Sequence, residues 1–216
     1  MDDLDAIAVL HEPLRRGLYE YVVAQDHPVS RNEAAEALGV QRTLAAFHLD
    51  KLAEAGLLDT AHRRLSGRTG PGAGRPAKLY SRSGGERQVS VPPRDYRTAA
   101  ELLADVADGA RLDVELQQAA RRHGRALRGD TAAADLPAAV DLLRRRGHEP
   151  YVDGELVRMR NCPFHALSET HTALVCGMNL ALLQGLLEGV NGVTVALDPR
   201  PDHCCTVLTA SNDNHR

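Results

Sequence analysis

The 216-residue chain has no Trp, two Phe and five Tyr, so its core has to be built from Leu, Val and Ala. It has no apolar run near the roughly 18 residues a membrane helix requires. Its first ten residues, MDDLDAIAVL, are acidic where a secretory signal would be basic. Both absences predict a soluble, cytoplasmic protein with no membrane partner. Cysteine is scarce, four residues all lying beyond position 160, which excludes a scaffold built on disulfides. At 43% hydrophobic and 25% charged residues, the composition is neither disordered nor collagenous. The length suffices for one large domain or two small ones, at roughly 100–200 residues each.

The net charge of −3 conceals a local excess of cations. Residues 60–94 carry eight (Arg63, Arg64, Arg68, Arg75, Lys78, Arg82, Arg87 and Arg94) against the single anion Glu86. Such a segment either is a solvated charge run or makes a surface suited to phosphates.

Residues 6–58 read as short helices with tight connections. His11-Glu12-Pro13 opens the first, with Leu14, Leu18, Tyr21 and Val22 at helical spacing. Ser30, with Glu33 three residues on, forms a capping box for a second helix that stops at Gly39. A third starts near Gln41, places Ala45, His48, Leu49 and Leu52 on one face and ends at Gly56. Residues 63–85 are rich in Gly, Arg and Ser, and read as two short strands with a long tip. From about 95 to 127 the pattern is helical and rich in Ala and Leu, with a break near Gly109.

The last third reads as α+β. A short helix over Leu136–Arg146 precedes two strands joined by Asp153-Gly154, a two-residue hairpin turn. A helical stretch over Ala173–Glu188 and two strands, Val193–Leu197 and Thr206–Thr209, follow. No internal repeat or heptad array is evident. The expected fold is therefore α+β: a winged helix-turn-helix over 1–90, central dimerisation helices over 91–130 and a small cysteine-containing α+β domain over 131–216.

Helix, tight turn, helix and basic two-stranded loop is the order of a winged helix-turn-helix. In that arrangement the third helix enters the major groove with its N-terminal residues nearest the base edges. Gln41, Arg42 and Thr43 then face the bases, and Phe47 can meet a base methyl. Arg63, Arg64, Arg68, Arg75 and Lys78 of the wing would track the backbone or enter the minor groove. Structural roles compete at two of these positions: Thr43 as a helix cap and His48 as a core residue. The segments SRNEAAEALGVQRTLAAFHLDKLAEAGLL and GRPAKLY resemble bacterial winged-helix regulators related to the ArsR and DeoR families. The resemblance implies a homodimer that binds double-stranded DNA at an inverted-repeat operator, with 95–127 as the candidate pairing seam.

Cys162, Cys176, Cys204 and Cys205 are separated by 13, 27 and no residues, which matches no common zinc-finger spacing. Cys176 shares a helical face with Leu180, Leu183 and Leu187, as a core residue would. Cys204 and Cys205, if both on a strand, point to opposite faces, so that at most one joins a shared site. Asn161-Cys162-Pro163-Phe164-His165 stands at a strand-to-helix junction, where free backbone N–H groups favour a thiolate. Thiolates suit iron–sulfur clusters, zinc or Cu(I).

Behind such a reading head, the cysteine series resembles the repressors of iron–sulfur cluster assembly (Suf) operons. That resemblance implies a [4Fe–4S] cluster on Cys162, Cys176 and Cys204 that controls operator binding. The fourth ligand is left to His165, His203, Cys205, a carboxylate or a small molecule. Zinc, or no metal at all, is the alternative. One competing reading makes the C-terminal half a small-molecule pocket lined by Arg158, Arg160, Asn161 and His165. Another is an enzyme using Cys162 with His165 or His171. It finds no phosphate loop, deaminase signature or hydrolase elbow in support, so no enzyme is expected.

Overall fold

The computed structural model describes residues 2–63, 76–129, 133, 135–201 and 203–210. The chain forms two compact units, residues 2–94 and 95–210 of those described, dividing between Arg94 and Asp95. Both mix helices with a small antiparallel sheet, so the chain is α+β. Among the described residues no helix is long and apolar enough to cross a membrane.

In the first unit, α1 (Asp3–Ala8) leads through a 3-10 turn into α2 (Pro13–Val23). The Glu12 carboxylate caps α2 by accepting from the N–H groups of Leu14 and Arg15, and Pro13 occupies its first turn. β1 (Val29–Ser30) runs straight into α3 (Arg31–Ala37). The expected capping box is present: Glu33 N–H donates to Ser30 Oγ at 3.2 Å and Ser30 N–H to Glu33 Oε2 at 3.3 Å.

Gly39, at φ 65°, turns the chain out of α3, and Val40 N–H closes back onto Ala35 C=O at 2.9 Å. The next helix, α4 (Arg42–Glu54), ends the same way at Gly56, with Leu57 N–H on Leu52 C=O. A β-hairpin follows, β2 (Leu58–Arg63) and β3 (Ala77–Arg82), and β1 pairs on the other side of β3. The wing tip containing Arg64, Arg68 and Arg75 lies outside the described residues. Leu18, Val22, Val29, Ala45, Leu49, Leu52 and Tyr80 fill the core between the helices and this sheet.

The second unit begins with α5 (Tyr96–Gly109) and α6 (Asp113–Arg128). The break between them is a left-handed residue, Arg111 at φ 56°, with Leu112 N–H on Ala107 C=O. It falls two residues past the glycine that marks it in the sequence. α7 (Leu136–Arg145), β4 (Pro150–Asp153), β5 (Leu156–Met159), α8 (His165–Thr170), α9 (Thr172–Leu186), β6 (Val193–Leu197) and β7 (Thr206–Ala210) complete it. The sheet order is β4-β5-β7-β6, all antiparallel.

α6 lies directly on α9 because both are bare where they cross. A Cβ on Gly124 would stand 2.1 Å from Leu182 O, and one on Gly185 2.2 Å from Arg121 O. Beside the crossing, Arg125 grips Glu188 with two hydrogen bonds, of 2.6 and 2.9 Å. Leu143, Val157, Met159, Leu183, Leu186, Cys204 and Leu208 form the core behind the sheet.

Candidate functional sites: an exposed helix start and a thiol cluster

α4 buries Ala45, His48, Leu49 and Leu52 and leaves Gln41, Arg42, Thr43, Leu44 and Phe47 exposed. Gln41 is the N-cap, and no side chain caps this helix. Thr43 is therefore not spent on capping. Phe47 is 54% exposed, its ring edge against His48 at 5.3 Å. His48 is a core residue with a partner: its Nδ1 accepts from Arg15 Nε at 3.3 Å and lies 3.5 Å from the Glu12 carboxylate. A polar, exposed helix start with an apolar side chain one turn on is the surface that a major groove admits.

Beside it, the start of α3, the start of α4 and the wing strands enclose a cavity of about 560 Å³, lined by Ser30, Arg31, Asn32, Arg42, His62 and Lys78 among others. Arg31, Asn32 and His62 escaped the sequence reading, which took Arg42 from the helix start and its other cations from the wing. The signal was available in the register that sets His62 opposite Lys78 across the hairpin. Arg63, exposed, ends β2 opposite Ala77.

Lys78 has a structural task as well. Its Nζ meets Asp50 Oδ1 at 2.6 Å, and the buried Tyr80 hydroxyl donates to the same oxygen at 2.8 Å. Burial pushes the Asp50 carboxyl up, but the bonds from Lys78 and Tyr80 outweigh it and hold the group below the ordinary carboxylate range. The triad ties the wing to α4.

The second site is built at element ends. Cys162 lies between β5 and α8, Cys176 on the second turn of α9, and Cys204 and Cys205 just ahead of β7. The expectation that the adjacent pair points to opposite faces applies to cysteines on a strand, and this pair lies ahead of one. The strand begins only at Thr206, and both cysteines precede it, Cys205 at a bend. Cys204 N–H is held by Met159 C=O at 3.0 Å, and Cys205 C=O accepts from Asp198 N–H at 2.8 Å. Strand alternation does not govern residues ahead of the strand.

The four cysteines influence one another's ionisation: Cys204 is coupled to Cys162 and Cys205, and Cys205 also to Cys176. Cys204 is 1% exposed and the other three are partly buried. Hydrogen bonds from Cys162 and Cys205, with a smaller one from Thr206, pull the Cys204 thiol down despite its burial. Cys162 and Cys205 are pushed up, first by bonding to Cys204 and then by burial.

Two polar side chains support Cys204. Asn179 Nδ2 lies 3.4 Å from its sulfur, and Thr206 Oγ1 3.1 Å from it. Asn179 is fully buried, yet its Oδ1 has no hydrogen-bond partner, and neither has Nδ1 of the buried His148. Burial holds His148 below the ordinary imidazole range.

Among the described residues no three or more His, Cys, Asp or Glu side chains are grouped to hold a metal ion. Thiolates are the donors that soft metals take, but here they do not stand together as a metal-binding group.

The remaining candidates are committed elsewhere. His165 faces Glu169 at 3.7 Å, and His203 Nδ1 is 2.9 Å from Pro201 O with its ring against Tyr151. Arg158, 1% exposed, pairs with Asp153 at 2.8 Å and with Asp198. Arg160 stacks over Tyr151, and Asn161 bridges Glu149 N–H and Gly147 C=O. These three hold the hairpin together and line none of the cavities described above. His171 lies between Asp105 at 3.2 Å and Asp108 at 3.1 Å, so it clasps α5 and does not assist Cys162.

A helix-turn-helix with a β-hairpin behind its exposed second helix defines a nucleic-acid-reading fold. Comparison with protein families agrees: residues 9–61 match a model described as a helix-turn-helix domain. This supports a helix-turn-helix transcription regulator. No match to the chain was found among curated proteins.

Proposed function

We propose that the protein is a repressor whose grip on an inverted-repeat operator is set by a metal centre on its C-terminal thiols, a [4Fe–4S] cluster. The helix-turn-helix domain supports DNA binding and a regulator in place of an enzyme. The feature on which the control element rests is the set of four cysteines in the second unit, with Cys204 buried against Asn179 and Thr206. Cys162, Cys176 and Cys204 would hold the group, which when bound would supply sensitivity to iron supply and oxidation. Asn179 and Thr206 orient Cys204 toward the shared space.

The active species in this reading is a homodimer. α5 buries none of its residues and exposes Tyr96, Ala99, Leu103, Val106 and Ala110 along one stripe. Their spacing alternates between three and four, which is the seam of a paired helix. A second copy of the chain is the occupant that a two-fold operator demands.

The test is anaerobic purification followed by iron, sulfide and zinc analysis and operator titration of the same sample. About four irons and four sulfides per chain, with DNA affinity that changes when they are removed, is the expected result. Stoichiometric zinc without sulfide would replace the cluster by a zinc centre. Protein that stays metal-free after reconstitution with iron and sulfide would overturn metal control.

A further inference from the structure

We infer that Leu44 and Phe47 together read the 5-methyl groups of pyrimidines, so that the duplex preferred by α4 carries thymines at neighbouring positions. The inference rests on the DNA-binding reading and deepens it, by naming what the helix start selects.

The chain has only two Phe and no Trp, yet it leaves one of those Phe, Phe47, and the nearby Leu44 exposed. Both lie off the buried face made by Ala45, His48, Leu49 and Leu52. Three residues apart, they are neighbours on one helix face. Three residues rise about 4.5 Å along the axis, close to the roughly 3.4 Å between stacked base pairs. The thymine methyl is the apolar feature of base edges in the major groove, so two methyls on neighbouring steps offer each side chain a surface to bury against.

The Phe47 ring is held before any partner arrives. Its edge packs on His48, with centroids 5.3 Å apart and planes at 74°, and His48 Nδ1 accepts from Arg15 Nε at 3.3 Å. A side chain already fixed loses less freedom on binding.

The charges around the pair favour nucleic acid over a second copy of the chain as its occupant. α4 has no acidic residue in its first turn, where a helix start otherwise attracts one. Its two carboxylates are both neutralised, Asp50 by Lys78 at 2.6 Å and Glu54 by Lys51 at 2.7 Å. Arg42 opens the helix, and with Arg31 and Lys78 it lines the cavity alongside. An apolar pair at a cationic helix start suits base methyls set between phosphate backbones.

The full-length protein selects duplexes from a random pool. In the tightest of them each thymine is replaced in turn by deoxyuridine, which removes the methyl and keeps the pairing edge. In fluorescence anisotropy the wild type should lose about fourfold in affinity at each of two neighbouring positions, the worth of one buried carbon. Leu44→Ala should bind the thymine and uracil duplexes alike at one of those positions, and Phe47→Ala at the other. A scan in which no position matters would overturn the inference and leave DNA binding standing. So would a methyl dependence unchanged in both variants, and variants that instead fall to monomers in sedimentation equilibrium would make the pair a contact between copies. A pool from which no duplex is enriched would overturn the DNA-binding reading itself, and this inference with it. The deoxyuridine scan uses wild type alone, so a misfolded variant would not spoil the decision.

Discussion

Arg42 and Arg31 are both cations beside the same cavity, but they stand for different tasks. Arg42 opens the exposed end of α4, where a bidentate guanidinium can read a base edge. Arg31 starts α3, the helix that in a helix-turn-helix crosses the backbone. Arg42→Ala should weaken binding to a duplex selected from a random pool by about 1–3 kcal/mol while relaxing sequence preference. Arg31→Ala should weaken all duplexes alike and reduce the slope of log affinity against log salt by about one. Fluorescence anisotropy over a salt series separates the two, and equal loss of preference in both variants would contradict the assignment.

Asp50 makes a second prediction at the same scale. Its folded pKa is depressed below the ordinary 3.8, because the bonds from Lys78 and Tyr80 outweigh burial. Its contribution to stability is therefore present above that ordinary value and lost as pH falls through the folded one. Asp50 is partly exposed, so solvent screening limits the gain to about 1 kcal/mol. Asp50→Asn should speed hydrogen exchange of β3 amides at pH 7 and make little difference near pH 3. A difference that grows on acidification would contradict the ion triad.

Among the elements, α5 makes the sharpest claim. Its stripe of Tyr96, Ala99, Leu103, Val106 and Ala110 leaves Leu103 72% exposed, and in the described residues nothing covers it. Replacing Leu103 and Val106 together by Glu should convert a dimer to a monomer in sedimentation equilibrium and leave far-UV circular dichroism unchanged. A wild-type monomer at micromolar concentration would contradict the seam. In the sequence this stripe runs for only two heptads, too short to stand out as an array.

Elsewhere the elements were readable where local chemistry decides them. The Ser30–Glu33 capping box, the two glycines closing α3 and α4, and the Asp153-Gly154 turn each carry their own signal within a few residues. So did α4's buried face, and hence its exposed one. What escaped was set by tertiary context. β1 is two residues long and exists because β3 offers an edge. The α3 cations line a cavity only because the wing folds beside them. Alternation was considered for a cysteine pair that precedes the strand, and only the bonds to Met159 and Asp198 show how that segment is held.

At the scale of the whole molecule, a reading head and a thiol site matter together only if the state of one changes the free energy of the other. That coupling has a checkable symmetry. If filling the thiol site changes operator affinity by some factor, operator binding must change the site's metal affinity by the same factor. For a regulator the factor should lie between about 5 and 150, or about 1–3 kcal/mol, and a switch from nearly all off to nearly all on needs about 5.5. Operator affinity is therefore measured with the site filled and stripped, and metal affinity with and without saturating operator. The two ratios should agree. Cys162→Ser, Cys176→Ser and Cys204→Ser should each bring the first ratio toward one while leaving affinity for non-specific DNA unchanged, because the helix-turn-helix residues are not part of the thiol unit. If all three variants keep the wild-type dependence on iron, the thiols do not control the head, and the regulator answers to some other signal.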